Sequence, residues 1–344
     1  MGESGERERE QRGRGPTIRD VARHAGVSIG TASKALNANG RLRQETRDKV
    51  IRVARELGYR PNRAARRLVT RAADSIAVVV PESDERVFSD PFFSGTLRGV
   101  TAAVGDLPMQ VVLVMGKPDD GDRRMERYLR GGHTDGAIVV SHHQNDTLWR
   151  VLAETRLPSV FLGRPYAEEA RVPYVDVDNC AGAALAARHL IARGCRRIGT
   201  VTGPLDMSAG HDRWQGWVRV LEEAGLETDL VEHGDFTAAG GAEATRRLLE
   251  RCPDLDGLFA ASDQMAVAAI GELGVAGRRV PDDVAVVGYD DSEAATMSRP
   301  ALTTVVNPIA EMAARAVDLL LRVMDGEEVQ PETLSTDLVV RESA

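Results

Sequence analysis

The sequence lacks the cysteine patterns and apolar runs that mark several classes of protein. Its three cysteines, Cys180, Cys195 and Cys252, are an odd number without CxxC spacing, which argues against a disulfide framework and against a zinc site. No segment approaches the roughly 18 apolar residues of a membrane span, and the charged start MGESGERERE has no apolar stretch of a secretory signal. No Gly-rich loop has Walker or dinucleotide spacing. We therefore expect a cytoplasmic protein with no metal, no cofactor and no membrane partner.

The net charge of −8 hides a division along the chain. Residues 1–73 carry 18 Lys and Arg against 8 Asp and Glu, a balance of +10, whereas the remaining residues carry a balance of −18. A basic segment on an acidic body is typical of a protein that binds nucleic acid through one of its parts. A merely solvated basic tail is the alternative at this point.

The basic segment has the pattern of a helix-turn-helix. Residues 1–15 show no apolar periodicity, which predicts a disordered arm. Thr17 and Asp20 then have the spacing of a capping box, Gly26 ends a first helix, and Ser28 can cap a second. Such a pair of helices presents the start of the second one to the DNA major groove. A generic three-helix core is the alternative.

The remainder of the chain has the texture of an α/β protein. Short apolar runs alternate with helical stretches in two series, the first at 75–81, 110–116 and 135–141, the second at 196–203, 256–262 and 283–291. Continuously apolar strands separated by helices indicate βαβ units around a parallel sheet that is buried on both faces. The sequence therefore predicts an α/β body of two similar subdomains.

Several segments, in order along the chain, resemble the LacI/GalR family of bacterial regulators, in particular its sugar-responsive, actinobacterial-type members. They are TIRDVARHAGVSIGTASKALN (17–37), ETRDKVIRVARELGYRPNRAARRL (45–68), DPFFSGTLRGV (90–100), DRWQGW (212–217), SDQMAVAAI (262–270), VPDDVAVVGYDD (280–291) and RPALTTV (299–305). The resemblance implies a helix-turn-helix headpiece, a hinge helix, and a body with parallel sheets like that of the periplasmic sugar-binding proteins.

The resemblance also implies the domain boundaries. It divides the chain into a disordered arm (1–15), the headpiece (16–61), the hinge helix (62–73) and an effector-binding and dimerisation domain (74–344). Within that domain it places an N-subdomain at about 74–177 and 305–327, and a C-subdomain at about 178–304 and 328–344.

By the same resemblance, the headpiece and hinge carry the DNA contacts. Ile29, Gly30 and Lys34 take the recognition-helix positions that select the operator; Ile29 can contact a thymine methyl group and Lys34 can donate to guanine. Leu68 takes the hinge position that wedges into a central base step of the minor groove, an ordinary packing leucine being the alternative. The whole set is Thr17, Ser28, Ile29, Gly30, Thr31, Ser33, Lys34, Asn37, Arg43, Asn62, Arg63, Ala65 and Leu68.

The effector contacts implied by the resemblance lie between the two subdomains. They are Glu82, Phe92, Phe93, Arg164, Arg213, Phe236, Ser262, Asp263 and Asp290. Arg213 and Asp290 match positions that clamp ligand hydroxyls or carboxylates, and Phe236 matches an aromatic that stacks on the ligand. The alternative role of Asp263 and Asp290 is that of helix N-caps, and the alternative for Phe92 and Phe93 is burial in the core. The acidic side chains favour a neutral sugar over a nucleotide or phosphosugar.

Together, these features predict a transcriptional regulator. We predict a repressor of sugar uptake or catabolism genes, acting on the nucleoid, that leaves a palindromic double-stranded DNA operator when a small sugar effector binds. A homodimer is expected because a two-fold protein matches a palindrome, and the chain ends too soon after 334–344 for a tetramerising heptad tail. No enzymatic activity is expected. The alternatives are a co-repressor-dependent regulator of the same family, a solute-binding protein and a sugar hydrolase.

Overall fold

The computed structural model describes residues 16–36, 42–59, 73–116, 123–166 and 172–344. The chain separates into two compact units, Met1–Ala72 and Ala73–Ala344. The predicted arm, the predicted hinge helix up to residue 72, and the predicted DNA contacts Asn37, Asn62, Arg63, Ala65 and Leu68 lie outside the described residues. Among the helices of the described ranges, none has the length and apolar character needed to cross a bilayer.

The described residues of the first unit form three short helices, α1 (Ile18–Ala25), α2 (Ile29–Leu36) and α3 (Gln44–Glu56). The backbone N and the Oγ1 of Thr17 donate to the Asp20 carboxylate at 3.0 and 2.7 Å, so the predicted cap at the start of α1 is confirmed. Gly26 follows α1 with φ +65°, a left-handed conformation that turns the chain towards α2 at little cost for glycine.

Small side chains form the core of this unit. Val21 and Ala25 of α1, Ala32 and Ala35 of α2, and Val50 of α3 are all buried in one cluster. The alanines of α2 recur at a spacing of three, so they occupy a single face that packs on the neighbouring helices. The opposite face of α2 is therefore left towards solvent.

Where the second unit is described, its residues form two six-stranded sheets flanked by helices. The strands are β1 (Ser75–Val80), β2 (Gln110–Met115), β3 (Gly136–Val140), β4 (Ser159–Leu162), β5 (Tyr174–Val177), β6 (Ile198–Thr202), β7 (Val231–His233), β8 (Gly257–Ala260), β9 (Ala285–Asp290), β10 (Thr303–Val306), β11 (Glu332–Leu334) and β12 (Leu338–Val339). The helices are α4 (Asp84–Ser89), α5 (Pro91–Val104), α6 (Arg124–Arg130), α7 (Leu148–Thr155), α8 (Asn179–Ala192), α9 (Ser208–Glu223), α10 (Ala238–Arg251), α11 (Asp263–Val275), α12 (Glu293–Met297) and α13 (Ile309–Met324).

The strand order confirms a doubly covered α/β architecture. The N-subdomain sheet runs β11-β5-β4-β3-β1-β2 with every pair parallel. The C-subdomain sheet runs β12-β10-β9-β8-β6-β7, and only the edge strand β12 is antiparallel to its neighbour. All six residues of β1 are buried because alternate side chains enter the clusters on the two faces of the sheet.

The chain passes between the two sheets three times: after β5, between β10 and α13, and between β11 and β12. The predicted division at about 305 falls inside β10, which pairs along its length with β9 of the C-subdomain, so the crossing follows Val306 instead. The assignment of 328–344 to the C-subdomain is wrong as far as Leu334, because β11 pairs with β5 in the N-subdomain sheet. Three adjacent connections of this kind can serve as a hinge between the subdomains.

One glycine sets the close approach of α8 and α9. A Cβ atom added at Gly216 of α9 would lie 2.2 Å from the carbonyl oxygen of Cys180 in α8. We expect Gly216→Ala to lower the free energy of unfolding by about 2 kcal/mol or more, because the backbones must separate. Urea denaturation followed by circular dichroism measures the change.

Gly271, within α11, provides the matched control, since a Cβ there would meet nothing within 4 Å. Gly271→Ala should raise the free energy of unfolding by about 0.5 kcal/mol through the loss of chain entropy in the unfolded state. Equal stability of the Gly216 and Gly271 variants would contradict the packing described for α8 and α9.

Candidate ligand cleft and nucleic-acid interface

A concave site of the described body lies between the carboxyl ends of the strands of the two sheets. It encloses about 690 Å³ including its open mouth, a size within the range of small-molecule sites. Six of the predicted effector contacts line it, namely Phe92, Arg164, Arg213, Phe236, Ser262 and Asp290. In α/β proteins this edge of the sheet is where ligands bind, because helix and strand ends present unpaired polar groups there.

Arg213 is a buried cation in the C-subdomain wall. Its side chain projects from α9 and the residue is only 5% exposed. Its Nε donates to Asn179 Oδ1 at 2.9 Å, and its Nη1 donates to the carbonyl oxygen of Ala261 at 2.6 Å. The guanidinium also stacks on the Tyr289 ring, 3.5 Å from the centroid. These contacts hold the guanidinium of Arg213 in one orientation in the cavity wall.

Asp290 faces Arg213 across the floor of the cavity. It is the last residue of β9, and its φ of +121° is a costly conformation for a residue other than glycine. Its Oδ1 accepts a hydrogen bond from Asn307 Nδ2 at 3.1 Å and lies 3.8 Å from Arg213 Nη1. Burial is the largest effect on the pKa of Asp290 and raises it; Arg213 opposes this, and the neighbouring Asp263 and Asp90 add to it.

Phe236 lies between the cations of the two subdomains. Its ring centroid is 5.5 Å from the guanidinium carbon of Arg86, in the N-subdomain, and 5.7 Å from that of Arg213. The residue has φ +67°, and its ring rests on Gly203, where an added Cβ would lie 2.1 Å from the ring. The ring therefore has a fixed position in the cavity wall, as stacking on the apolar face of a ligand requires.

Three predicted effector contacts do not reach the cavity wall. Phe93 is 2% exposed and belongs to the N-subdomain core, because it lies on the face of α5 that packs on the sheet. Asp263 accepts hydrogen bonds from Thr304 Oγ1 and from the backbone N of Ser292, so both of its oxygens hold the C-subdomain together. Phe93 and Asp263 therefore do not line this cavity, and direct ligand contact from either side chain stays a prediction that this site does not support.

Glu82 is the third. Its Oε1 is held by Arg86 Nη1 at 2.6 Å, by Ser141 Oγ at 2.6 Å and by His143 Nε2 at 3.1 Å. Burial is the largest effect on the pKa of Glu82 and raises it, but the hydrogen bond from His143, the charge of Arg86 and the hydrogen bond from Ser141 together lower it below its ordinary value. Glu82 is thus an anionic anchor for its neighbours rather than an open ligand contact.

The predicted contacts Ser262 and Arg164 line the cavity but have protein partners. Ser262 caps α11, its Oγ accepting from the backbone N of Met265 at 3.3 Å. Arg164 Nη2 donates to both oxygens of Asp212 at 2.6 and 2.9 Å, a pair that joins the two subdomains. Phe92 packs edge-on against Phe93, with ring centroids 5.4 Å apart, and only partly reaches the cavity.

The cavity also contains polar residues outside the set predicted from the sequence. Asp90 caps α5 by accepting from the Phe92 backbone N at 2.9 Å, and burial raises its pKa. Its position before Pro91 at a helix start is a signal that could have revealed it. Asn179 and Asn307 lie at two of the crossings between subdomains, and no local pattern marks them. In the described part of the chain, no group of three or more His, Cys, Asp or Glu side chains is arranged to hold a metal ion.

In the first unit, α2 presents the side chains predicted to read DNA. Ser28 caps the helix, its Oγ accepting from the backbone N of Thr31 at 3.0 Å. Ile29 is 49% exposed, an unusual position for a large apolar side chain, and Gly30 and Lys34 are exposed beside it. This exposed face at the helix start has the shape and donors for a major groove.

The other described members of the predicted DNA-binding set lie around α2. Thr17 and Arg43 are exposed at the starts of α1 and α3, whereas Thr31 and Ser33 are half-buried. The side chain of Arg43 makes no capping hydrogen bond to α3. Because the residue is exposed, phosphate contact by its guanidinium is possible.

Both units of the chain match families of known proteins. The model of the lacI family of bacterial regulatory proteins matches residues 17–62, and that of a periplasmic binding protein-like domain matches residues 187–344. The HTH-type transcriptional regulator CelR of Thermobifida fusca is 45% identical over 97% of this chain and 99% of its own. The ribose operon repressor of Halalkalibacterium halodurans is 33% identical over 95% and 96%.

Two solved structures extend the comparison. The complex of the transcriptional regulator CelR with cellobiose has 43% identity and a TM-score of 0.76, and covers 96% of this chain and 100% of that one. The lac repressor dimer bound to operator and the anti-inducer ONPF has 26% identity and a TM-score of 0.85, with 96% and 99% covered. These relatives are transcriptional regulators rather than enzymes, in agreement with the sequence prediction.

Asp290 gives a prediction for stability. Its raised pKa means that the folded protein holds this proton more tightly than the unfolded chain does. The contribution of Asp290 to stability is therefore lost as pH rises through the folded pKa. We expect Asp290→Asn to raise the free energy of unfolding by about 1 kcal/mol or more over the parent at pH 8, and to leave it nearly unchanged near pH 4.

Thermal unfolding without ligand at the two pH values measures this difference. Asp229→Asn, which changes an exposed carboxylate, should shift stability by less than about 0.5 kcal/mol at both. A loss of stability in Asp290→Asn at pH 8 would show that Arg213 compensates the buried charge in full.

Proposed function

The chain belongs to the LacI family of bacterial regulatory proteins, and we propose that it is a repressor of sugar uptake or catabolism genes whose effector is cellobiose or a similar β-linked disaccharide. Two copies would bind a palindromic operator on the nucleoid through their headpieces and release it when the sugar enters the cleft. The observation that carries the proposal is the combination of the exposed α2 face with a polar cleft between two hinged subdomains.

The chemistry of the cleft supports a neutral sugar. Asp90 and Asp290 offer carboxylate acceptors, Arg213 offers a cationic donor, and Phe236 offers an aromatic face. Arg213 Nη1 and Asp290 Oδ1 are 3.8 Å apart, too far for a hydrogen bond, so a ligand hydroxyl that bridges them could accept from one and donate to the other. Buried carboxylates would repel the phosphate of a nucleotide or phosphosugar. The cellobiose complex of the similar regulator supports the choice of disaccharide.

The three connections between the subdomains support a mechanism by closure. A ligand that contacts both walls binds the closed form more tightly than the open form and shifts the population towards it. Only this difference in affinity can drive the response. In a dimer, closure would change the spacing of the two N-subdomains and with it the spacing of the two headpieces. Operator affinity would fall because half-site spacing is fixed by the DNA.

Lys34 tests the headpiece. We expect Lys34→Ala to weaken binding to the operator by about 1–3 kcal/mol relative to unrelated DNA, because a donor to base edges is lost. Fluorescence anisotropy with an operator selected from a random-sequence pool measures both affinities. Lys49→Ala removes the same charge from the exposed surface of α3 and should weaken both kinds of DNA alike. Equal discrimination in the two variants would remove Lys34 from base recognition.

Arg213 tests the cleft. We expect Arg213→Ala to lower cellobiose affinity by about 10- to 100-fold, since a charge-assisted hydrogen bond is lost, while operator affinity without sugar is retained. Titration calorimetry with cellobiose and operator anisotropy are the two measurements. Arg219→Ala, which alters an exposed position of the same helix, serves as the control and should keep both affinities.

Operator anisotropy during a cellobiose titration of the unmodified protein shows whether the sugar weakens or strengthens operator binding. Release of the operator supports the repressor proposed here, whereas tighter binding would make the sugar a co-repressor. Turnover of cellobiose would contradict a purely regulatory role, and a monomer in sedimentation would contradict the palindromic mode of binding.

A further inference from the structure

One mouth of the cleft is bridged by direct contacts between the subdomains. We call these contacts the seam; it joins the loops after β3 and β4 to residues 206–212 of the C-subdomain. The Gln144 backbone N donates to the Asp206 carbonyl oxygen at 2.7 Å, and Ser208 Oγ donates to the Arg164 carbonyl oxygen at 2.7 Å. The Arg164–Asp212 ion pair adjoins them. The cleft is therefore closed in this structure along one side.

His143 occupies the seam in an unusual way, because both of its ring nitrogens face carboxylates. Nδ1 lies 2.8 Å from Asp206 Oδ2 of the C-subdomain, and Nε2 lies 3.1 Å from Glu82 Oε1 of the N-subdomain. A neutral imidazole has a single N–H and would turn a lone pair towards one of the two carboxylates. The imidazolium donates to both. The geometry thus selects the protonated ring.

The surrounding charges favour the same form. Arg86 also binds Glu82, which remains a carboxylate, and the raised pKa of the nearby Asp146 comes from burial. The hydrogen bond to Glu82, followed by that to Asp206, raises the pKa of His143 above its usual value, and burial opposes this. The adjacent His142 is buried, which lowers its pKa to about 4 and keeps it neutral.

We propose that His143 is a positioning residue for the effector cleft: as an imidazolium it ties Asp206 to Glu82, holds the subdomains closed on the ligand, and so couples effector binding to the uptake of a proton. The proposal rests on the proposed role of the cleft as the effector site. His143 does not line the cavity that contains Arg213 and Asp290. It acts on ligand binding through closure of the subdomains and not through contact with the ligand.

The sign of the pH dependence follows from the geometry. Opening the cleft removes Asp206 from His143 but leaves Glu82 beside it, so the closed form holds the proton more tightly. The contribution of His143 to closure is complete below its open-state pKa and is lost as pH rises through its closed-state pKa. Between these two values, cellobiose affinity should fall by up to about tenfold per pH unit, the limit for one linked proton.

Titration calorimetry of the full-length protein with cellobiose, from pH 5.5 to 9 and in buffers of different ionisation enthalpy, tests the coupling. The parent should bind more weakly as pH rises and should take up a proton on binding. His143→Gln should lose this part of the pH dependence, because its amide does not titrate in this range. Asp290 and the other cleft carboxylates titrate in both proteins, so the difference between them isolates His143.

His133→Gln is the matched control. His133 is exposed in the loop before β3, at the opposite end of that strand from the seam, and its substitution should leave the pH profile unchanged. A pH profile of His143→Gln that matches the parent, or equal losses in both histidine variants, would overturn the proposal.

A ligand-free measurement separates this proposal from the choice of effector. Long-range ¹H–¹⁵N spectra report the protonation of each of the seven histidines, and the His143→Gln spectrum assigns the signal. His143 should titrate above 6.5 in the parent and at a lower pH in Asp206→Asn. A neutral His143 ring at pH 6.5, or an unchanged titration of His143 in Asp206→Asn, would overturn the proposed role of His143 even if cellobiose binds. If cellobiose does not bind, the proposed effector is wrong, and this titration alone tests the proposed role of His143.

Discussion

The buried guanidinium of Arg213 is the interaction on which the arrangement of the cleft depends. A cation removed from water needs partners in fixed positions, and Asn179, the Ala261 carbonyl and the Tyr289 ring supply them from α8, the end of β8 and β9. These elements meet only at the carboxyl edge of the C-subdomain sheet. The charge therefore fixes one wall of the cleft, and Asp290 opposite it leaves room for a bridging hydroxyl.

Several features of the cleft work against stability and in favour of binding. Asp290 and Phe236 both have positive φ, and burial raises the pKa of Asp290 and Asp90. Such features persist because the sheets around them are covered on both faces by well-packed apolar side chains. A site prepared in this way loses little freedom on binding, which is how a modest ligand can shift the balance between open and closed subdomains.

Features encoded locally could be predicted from the sequence. Thr17, Gly26 and Ser28 marked the helix ends because caps and left-handed turns need particular residues, and apolar runs marked the buried strands. The positions of Arg213 and Asp290 came from motifs of the family. The sequence left the burial of Phe93 open as an alternative. The pairing of β11 with β5 and the seam around His143 could not be predicted, since each depends on contacts between residues far apart in the chain.

In the mechanism we propose, operator and sugar compete through one conformational equilibrium of the body. Linkage requires the coupling to be reciprocal, so the measurement is the cellobiose affinity of the protein alone and of its operator complex. We expect operator to weaken cellobiose binding by the same factor by which saturating cellobiose weakens operator binding. Equal cellobiose affinity with and without operator would contradict it.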